Sequence, residues 1–218
     1  MPPQPNKTEL VGVYGSDETH ALSAWTSTSR ELTDEKRNRI PNLLQMLAEQ
    51  EHHSVFEKSS LHFLVTTDVA SHIHILKHRI GVSVNAESAR YKELRDDKYY
   101  VPTDWDLEEK EKYIEHLELC LARYHQTLKS LVAKGFSRKR AKESARLYLP
   151  YGNQLTADVM FNFRSFAHFV KLRYSTHAQL EIRDIAKEML KQVYETGKFN
   201  ATLEAFGFVV DGKIREPF

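Results

Sequence analysis

The sequence contains one cysteine, Cys120, among 218 residues. An internal disulfide needs two and a multi-cysteine metal site needs more, so both are excluded; a lone thiol also fits a reducing compartment. Net charge is almost as scarce, with 31 Lys and Arg against 30 Asp and Glu. A general binder of nucleic acid or of membrane surfaces carries a basic excess, so neither partner is expected. No apolar run approaches bilayer-spanning length, and the opening MPPQPNKTE has no signal-peptide apolar core. These absences leave a soluble, cytoplasmic chain long enough for one sizeable core. It reads as a single domain over 1–218, with 1–9 as a flexible tail.

The periodic segments come next. LVGVY (10–14) reads as a short strand closed by Gly15, and the Ser/Thr-rich 21–30 stretch takes no assignment. In 34–50, Ile40, Leu43, Leu44 and Leu47 recur at helical spacing. Pro41 lies inside that pattern, so the helix is expected to begin near it, where a missing N–H is tolerated. Residues 61–67 read as a strand, 69–76 as a helix and 92–105 as a loop or lid. The clearest helix is 107–134, whose stripe of Ile114, Leu117, Leu121, Tyr124, Leu128 and Leu131 belongs to core or subunit interface, with Gly135 as its C′ residue. A short helix opens at Ser137 and ends at Pro150, NFRSFAHFVKLR (162–173) reads as an amphipathic helix, and another closes near Tyr194. Asp211-Gly212 marks a final strand–turn–strand.

The most informative stretch is KHRIGVSVNAESARY (77–91). Cations stand at both ends, Lys77, His78 and Arg79 at one and Arg90 at the other, around a run of small and polar residues. Ammonium, imidazolium and guanidinium groups with free backbone N–H groups are the usual donors to phosphate oxygens. The competing reading is a solvated loop with scattered charges. Other polar groups are ambiguous in the same way. Ser54 and Glu57 fit a capping box as well as a ligand cluster with His52. His72 and His74, two apart on a helix, point away from each other and make no metal pair.

Order and spacing decide between these readings. Lys77-His78-Arg79, eight residues, then Ser88-Ala89-Arg90-Tyr91 resembles the signature of flavin-dependent thymidylate synthases: Arg-His-Arg, seven or eight residues, Ser-x-Arg-Tyr. Three more blocks follow the same family in order. His52-x-Ser54-x-Phe56-Glu57 resembles its His-x-Ser/Thr-x-Phe-Glu, and Ala145-Arg146 through Leu149-Pro150 its Ala-Arg-x-x-Leu-Pro. Asn162-x-Arg164-Ser165, His168-Phe169 and Arg173, followed by His177-Ala178-Gln179, match the last block.

The resemblance implies an α+β fold, mostly helical around a small twisted mixed sheet, forming a homotetramer with active sites at subunit interfaces. It implies C5 methylation of dUMP to dTMP with FAD as cofactor, NADPH as reductant and methylenetetrahydrofolate as one-carbon donor. No GxGxxG follows a strand, so the flavin would not be held in the Rossmann manner. No enzyme nucleophile attacks uracil in this family, and Cys120 on its helix stripe is a poor candidate for one. Carried over residue by residue, FAD falls to Ser54, Glu57, Lys77, His78, Arg79, Glu87, Asn162, Arg164 and His168. The nucleotide falls to His74, Lys77, Glu87, Ser88, Arg90, Arg146 and Arg173. Arg173 and His52 are the catalytic candidates. A permanently charged guanidinium beside an acidic N–H favours its conjugate base, so Arg173 would favour N3-deprotonated uracil. His52 would handle folate or NADPH, and no metal is implied.

Four positions depart from the family. Lys77 replaces Arg and keeps the charge without the planar fork. His74 stands where Gln is usual, Ile75 where an aromatic is usual, and Ala86 occupies the usual acidic or Gln position with Glu87 one place later. His74, Lys77 and the eight-residue spacer motivate a second reading, a flavin enzyme on the same fold acting on another pyrimidine nucleotide or one-carbon donor. A third, a non-enzymatic nucleic-acid or phosphate binder using 77–90 and Arg138–Arg140, has the near-zero charge against it.

Overall fold

The computed structural model describes residues 3–93 and 98–218. The chain is α+β and about half helical. Its elements run β1 (Lys7–Tyr14), α1 (Asp17–Trp25), α2 (Asp34–Glu49), a 3-10 turn (His53–Glu57), β2 (Ser60–Asp68), α3 (Val69–Leu76), β3 (Val82–Ala86), α4 (Leu107–Ala133) and α5 (Arg138–Ala145). A second 3-10 turn (Arg146–Tyr148), β4 (Gln154–Phe161), α6 (Phe163–Arg173), α7 (Leu180–Glu195), α8 (Asn200–Ala205), β5 (Val209–Val210) and β6 (Lys213–Ile214) complete it. Among the described residues no helix is long and apolar enough to cross a membrane.

The larger sheet has the order β1-β2-β4-β3, and it is antiparallel, not mixed. Across β2 and β4 the Thr66 and Thr156 hydroxyls meet at 2.9 Å and His62 Nε2 lies 2.5 Å from Asp158 Oδ1, so one number rises as the other falls. The same holds for β3 against β4: the Glu87 N–H donates to Thr156 O (2.9 Å) and the Asn162 N–H to Gly81 O (3.1 Å). Between β1 and β2, Asn6, just before β1, bonds Asp68 and Gly12 lies against His62. The β2–α3–β3 crossover does make two parallel strands. β4 inserts between them, so every neighbouring pair is antiparallel. The β5–β6 hairpin expected at Asp211-Gly212 forms, with Val209 opposite Ile214.

The chain divides into two compact units. The first comprises the described residues of Met1–Lys7, Val65–Leu76 and Asn85–Ala157. In it the α4 stripe is core: Leu117 and Leu121 pack with Tyr99 and Val101, and Tyr124 and Leu128 pack with Ala141 and Ala145 of α5. The described residues of 92–105 form no helix or named strand, as the loop reading expects, and Tyr99 and Val101 of that loop are buried against α4; residues 94–97 lie outside those described. The tail reading of 1–9 is corrected. Gln154 Nε2 donates to the carbonyls of Gln4 and Pro5, the Gln4 N–H to Tyr99 O, and 7–9 belong to β1. Met1 and Pro2 lie outside the described residues.

The second unit comprises Thr8–Leu64, Lys77–Val84 and Asp158–Phe218. α2 starts well before Pro41, contrary to the expected start, because Thr33 Oγ1 accepts the Lys36 N–H and the first turn carries Asp34 and Glu35. Pro41 faces solvent inside the helix. The 82–86 part of the expected 77–91 loop is the strand β3, and 156–161 belong to β4. The Ser54–Glu57 capping box does not form; that segment is a 3-10 turn with no side-chain cap. The core here is aromatic, with Phe56, Phe63, Phe161, Phe163, Phe166 and Phe199 all fully buried.

His20 of α1 is 0% exposed in that aromatic core. Burial pushes its pKa down from 6.5 to about 4. A depressed histidine pKa means that between those values the unfolded chain binds the extra proton, so stability rises with pH across the window. The full contribution is present above pH 6.5 and is lost as pH falls toward 4. Urea unfolding is therefore expected to lose about 3 kcal/mol from this group on acidification across the window. A His20→Leu chain, wherever it folds, should show a flatter profile there.

Candidate functional site

Two groups of predicted residues are brought together, one in each unit. In the second unit the segment after Lys77 is pinned to the start of α6. Asn162 caps that helix, its Oδ1 accepting the Ser165 N–H at 2.8 Å, while its own backbone N–H donates to Gly81 O. The Ser165 hydroxyl donates to Ile80 O at 2.7 Å. Gly81 has φ +67, and a Cβ there would come within 2.3 Å of Ser165 Oγ and 2.4 Å of Asn162 Nδ2. The close approach therefore requires glycine twice over, by dihedral and by space.

This junction forms one wall of a cavity of about 460 Å³. Glu57, Asn162, Arg164 and His168, all expected at a cofactor, line it, with Ile80 and Phe206 as apolar surface and Lys171 as a further cation. Arg164 Nη1 donates to Glu57 Oε1 at 2.6 Å. On α6, Arg173 Nε donates to His78 Nε2 at 3.0 Å. An arginine N–H only donates, so Nε2 of His78 is bare and its ring proton sits on Nδ1 while this bond is made. His78 is buried edge-on against Phe169, their centroids 5.0 Å apart, and burial lowers the Arg173 pKa from its ordinary value. Lys77 and Arg79 are exposed, without an ion pair among the described residues. His52 and Ser54 are exposed outside the cavity; His53 lines it instead.

The second group lies in the first unit. The Glu87 N–H and Oε2 form a reciprocal pair with the Thr156 backbone, and Lys92 Nζ is 3.3 Å from Glu87 Oε1. Burial works to raise the Glu87 carboxyl pKa, but the Thr156 N–H and the Lys92 and Lys98 charges outweigh it and hold it below the ordinary value. Ser88 Oγ accepts the Arg90 N–H (3.3 Å), which starts a tight turn. α5 grips this turn: Arg90 meets Glu143 at 3.3 Å, Lys142 Nζ donates to Tyr91 O at 2.6 Å and Arg138 pairs with Glu93. Arg138 is thus more than the solvated cation its sequence context suggests. Arg146 is exposed and has no ion pair among the described residues, and His74 is half-buried on α3.

Sequence reasoning missed Ser165, His53, Lys171 and Phe206 as cavity residues. Gly81 was the available signal, since a glycine inside a cationic motif marks a close backbone approach. Cys120 is half-buried on α4 with Sγ 3.5 Å from His116 Nε2. Among the described residues no group of three His, Cys, Asp or Glu side chains is placed to hold a metal.

A family model described as thymidylate synthase complementing protein matches residues 9–196. The flavin-dependent thymidylate synthase of Thermotoga neapolitana is 32% identical over 201 residues, covering 91% of this chain and 89% of that protein. That of Mycobacterium tuberculosis is 32% identical over 152 residues, covering 65% of this chain, and the match spans 60% of the mycobacterial protein's length. Among solved structures, a UMP/dUMP methylase, PolB from Streptomyces cacaoi bound with 5-Br dUMP, superposes with TM-score 0.78 at 26% identity, over 94% of this chain and 96% of that one. The chain belongs to the thymidylate synthase complementing protein family.

Proposed function

We propose that this protein methylates C5 of dUMP to give dTMP, with FAD as cofactor, NADPH as reductant and methylenetetrahydrofolate as one-carbon donor. The observation that carries the reading is the 77–81 segment pinned onto α6 beside a cavity that Glu57, Asn162, Arg164, Ser165 and His168 of the motifs line. An aromatic tricycle with a polar edge and an anionic tail calls for an apolar wall, fixed donors and cations. Ile80 and Phe206 offer the first, Asn162 and His168 the second, Arg164 and Lys171 the third, so the donor set fits a flavin. Hydride for completing the methyl group is what a reduced flavin supplies when bound there.

The protein's own part is binding, orientation and charge. Ser54, Glu57, Lys77, His78, Arg79, Asn162, Arg164 and His168 hold the flavin. The Ser88–Arg90 turn, Glu87, His74, Lys77 and Arg146 hold the nucleotide, with Glu87 taking the acidic role one place after Ala86. Arg173 lies along the uracil edge and favours its N3 anion, and His52 handles folate or NADPH. Cations at this density repel one another without anionic ligands, which is consistent with a homotetramer whose subunits share sites around nucleotide and dinucleotide.

A second reading, UMP as well as dUMP, is favoured by the UMP/dUMP methylase among the structural neighbours. The visible spectrum of the FAD-loaded protein before and after each nucleotide, with product identified by mass, tests both. Flavin bands that shift with dUMP, together with dTMP formed, support the first reading. Equal shifts and a methylated ribonucleotide from UMP support the second, and a protein that takes up no FAD sinks both.

A further inference from the structure

Outside the residues given roles above, a buried polar line crosses the second unit. Asp17 carboxylate oxygens accept the backbone N–H groups of Ala201 and Thr202 (2.9 and 2.8 Å), and Oδ1 also accepts the Thr202 hydroxyl at 2.5 Å. Having donated to Asp17, Thr202 Oγ1 is left to accept from His20 Nδ1 at 3.0 Å. His20 Nε2 is then bare and accepts the Ser59 hydroxyl at 2.8 Å. His20 and Thr202 are fully buried and Ser59 is 4% exposed, so both His20 bonds are made away from water, while Asp17 at the far end is half-buried.

The line ends beside the cavity in two ways. Ser59 lies two residues after Glu57, between the end of the 3-10 turn and the start of β2. The His20 ring itself stands edge-on to Phe56 (5.3 Å between centroids) and to Phe163 (5.5 Å). Those phenylalanines immediately precede Glu57 and Arg164, the two partners of the ion pair in the cavity lining. One imidazole therefore touches the chain just before each member of that pair.

We infer that the Asp17–Thr202–His20–Ser59 line is a positioning device that holds Glu57 and Arg164 in register for the flavin. The inference rests on the flavin reading of the cavity for its function and on the line's geometry for its existence. Neither His20 nor Thr202 lines the cavity; both act through Phe56, Phe163 and the Glu57–Ser59 segment.

Thr202→Val tests it, because valine keeps the shape and removes the hydroxyl, while Thr202→Ser keeps the hydroxyl and removes a methyl group. FAD titration followed by flavin absorbance is expected to show about tenfold weaker binding for Thr202→Val, which removes both bonds of the hydroxyl, and near wild-type binding for Thr202→Ser. Equal binding by all three, or equal weakening of both variants, overturns the positioning role, since a packing defect tracks volume and not the hydroxyl. Should the unaltered protein bind no FAD, the flavin reading fails by itself. The positioning claim is then decided by the Arg164 Nε–H signal in ¹⁵N NMR. It is expected to move in Thr202→Val and not in Thr202→Ser, and an unmoved signal in both overturns the claim.

Discussion

Replacing Gly81 with alanine is expected to destabilise the protein by about 4 kcal/mol and to remove FAD binding together with the fold around the cavity. The magnitude follows from separate costs at one position. A non-glycine residue at φ +67 costs about 1 kcal/mol. The new Cβ lies 2.3 Å from Ser165 Oγ and 2.4 Å from Asn162 Nδ2, so both side chains must move. Moving Asn162 gives up the α6 N-cap, about 1 kcal/mol, and moving Ser165 gives up its bond to Ile80 O, about another. Overpacking supplies the remainder. Urea denaturation with flavin absorbance on the same samples checks it. A Gly81→Ala protein within about 1 kcal/mol of wild type would mean that the 77–81 segment is free to leave α6.

That junction also shows what the sequence could and could not disclose. Order and spacing of the motif residues were legible because the family pattern holds residue type at fixed intervals: cations at 77–79, Ser88 and Arg90, the polar positions of 162–173. The long α4 stripe was legible because a buried helix face repeats every three to four residues. Strand neighbours were not. β3 itself was hidden in a segment that read as a loop, and nothing in β2 says that β4, reached much later in the chain, lies beside it. Pro41 misled because local propensity favours a helix start there, whereas Thr33 and the acidic first turn set the start earlier. His52 and His53 illustrate the limit for the site: motif spacing selects His52, whereas the direction in which each side chain leaves the 3-10 turn, which puts His53 at the cavity, is set by the fold. The α5 grip on the 88–93 turn was hidden for a similar reason, because an Arg–Lys–Arg run looks solvated until its partners are placed.

The Arg173→Ala protein is expected to bind FAD almost normally yet to lose about a thousandfold in kcat/KM for dUMP, as removal of one preorganised charge at a reacting group does. Its Nε–H is committed to His78 at 3.0 Å, and this bond sets the plane of the guanidinium. Burial lowers the arginine's pKa, but the group remains charged at working pH, so it acts as a fixed positive charge and not as a titrating one. In the proposed reaction that charge stabilises the N3 anion of uracil. Without it the anion must form by simple loss of the N3 proton, which is favoured as pH rises. The variant's rate should therefore climb with pH more steeply than that of wild type, and the deficit should narrow toward the N3–H pKa of the free nucleotide. Arg173→Lys keeps a charge but has no plane for His78 to orient, so it should restore only part of the loss. Initial rates of dTMP formation across the alkaline range decide the matter. A variant whose profile runs parallel to wild type would place the role of Arg173 in holding the nucleotide, because a lost binding contact lowers the rate by the same factor at every pH.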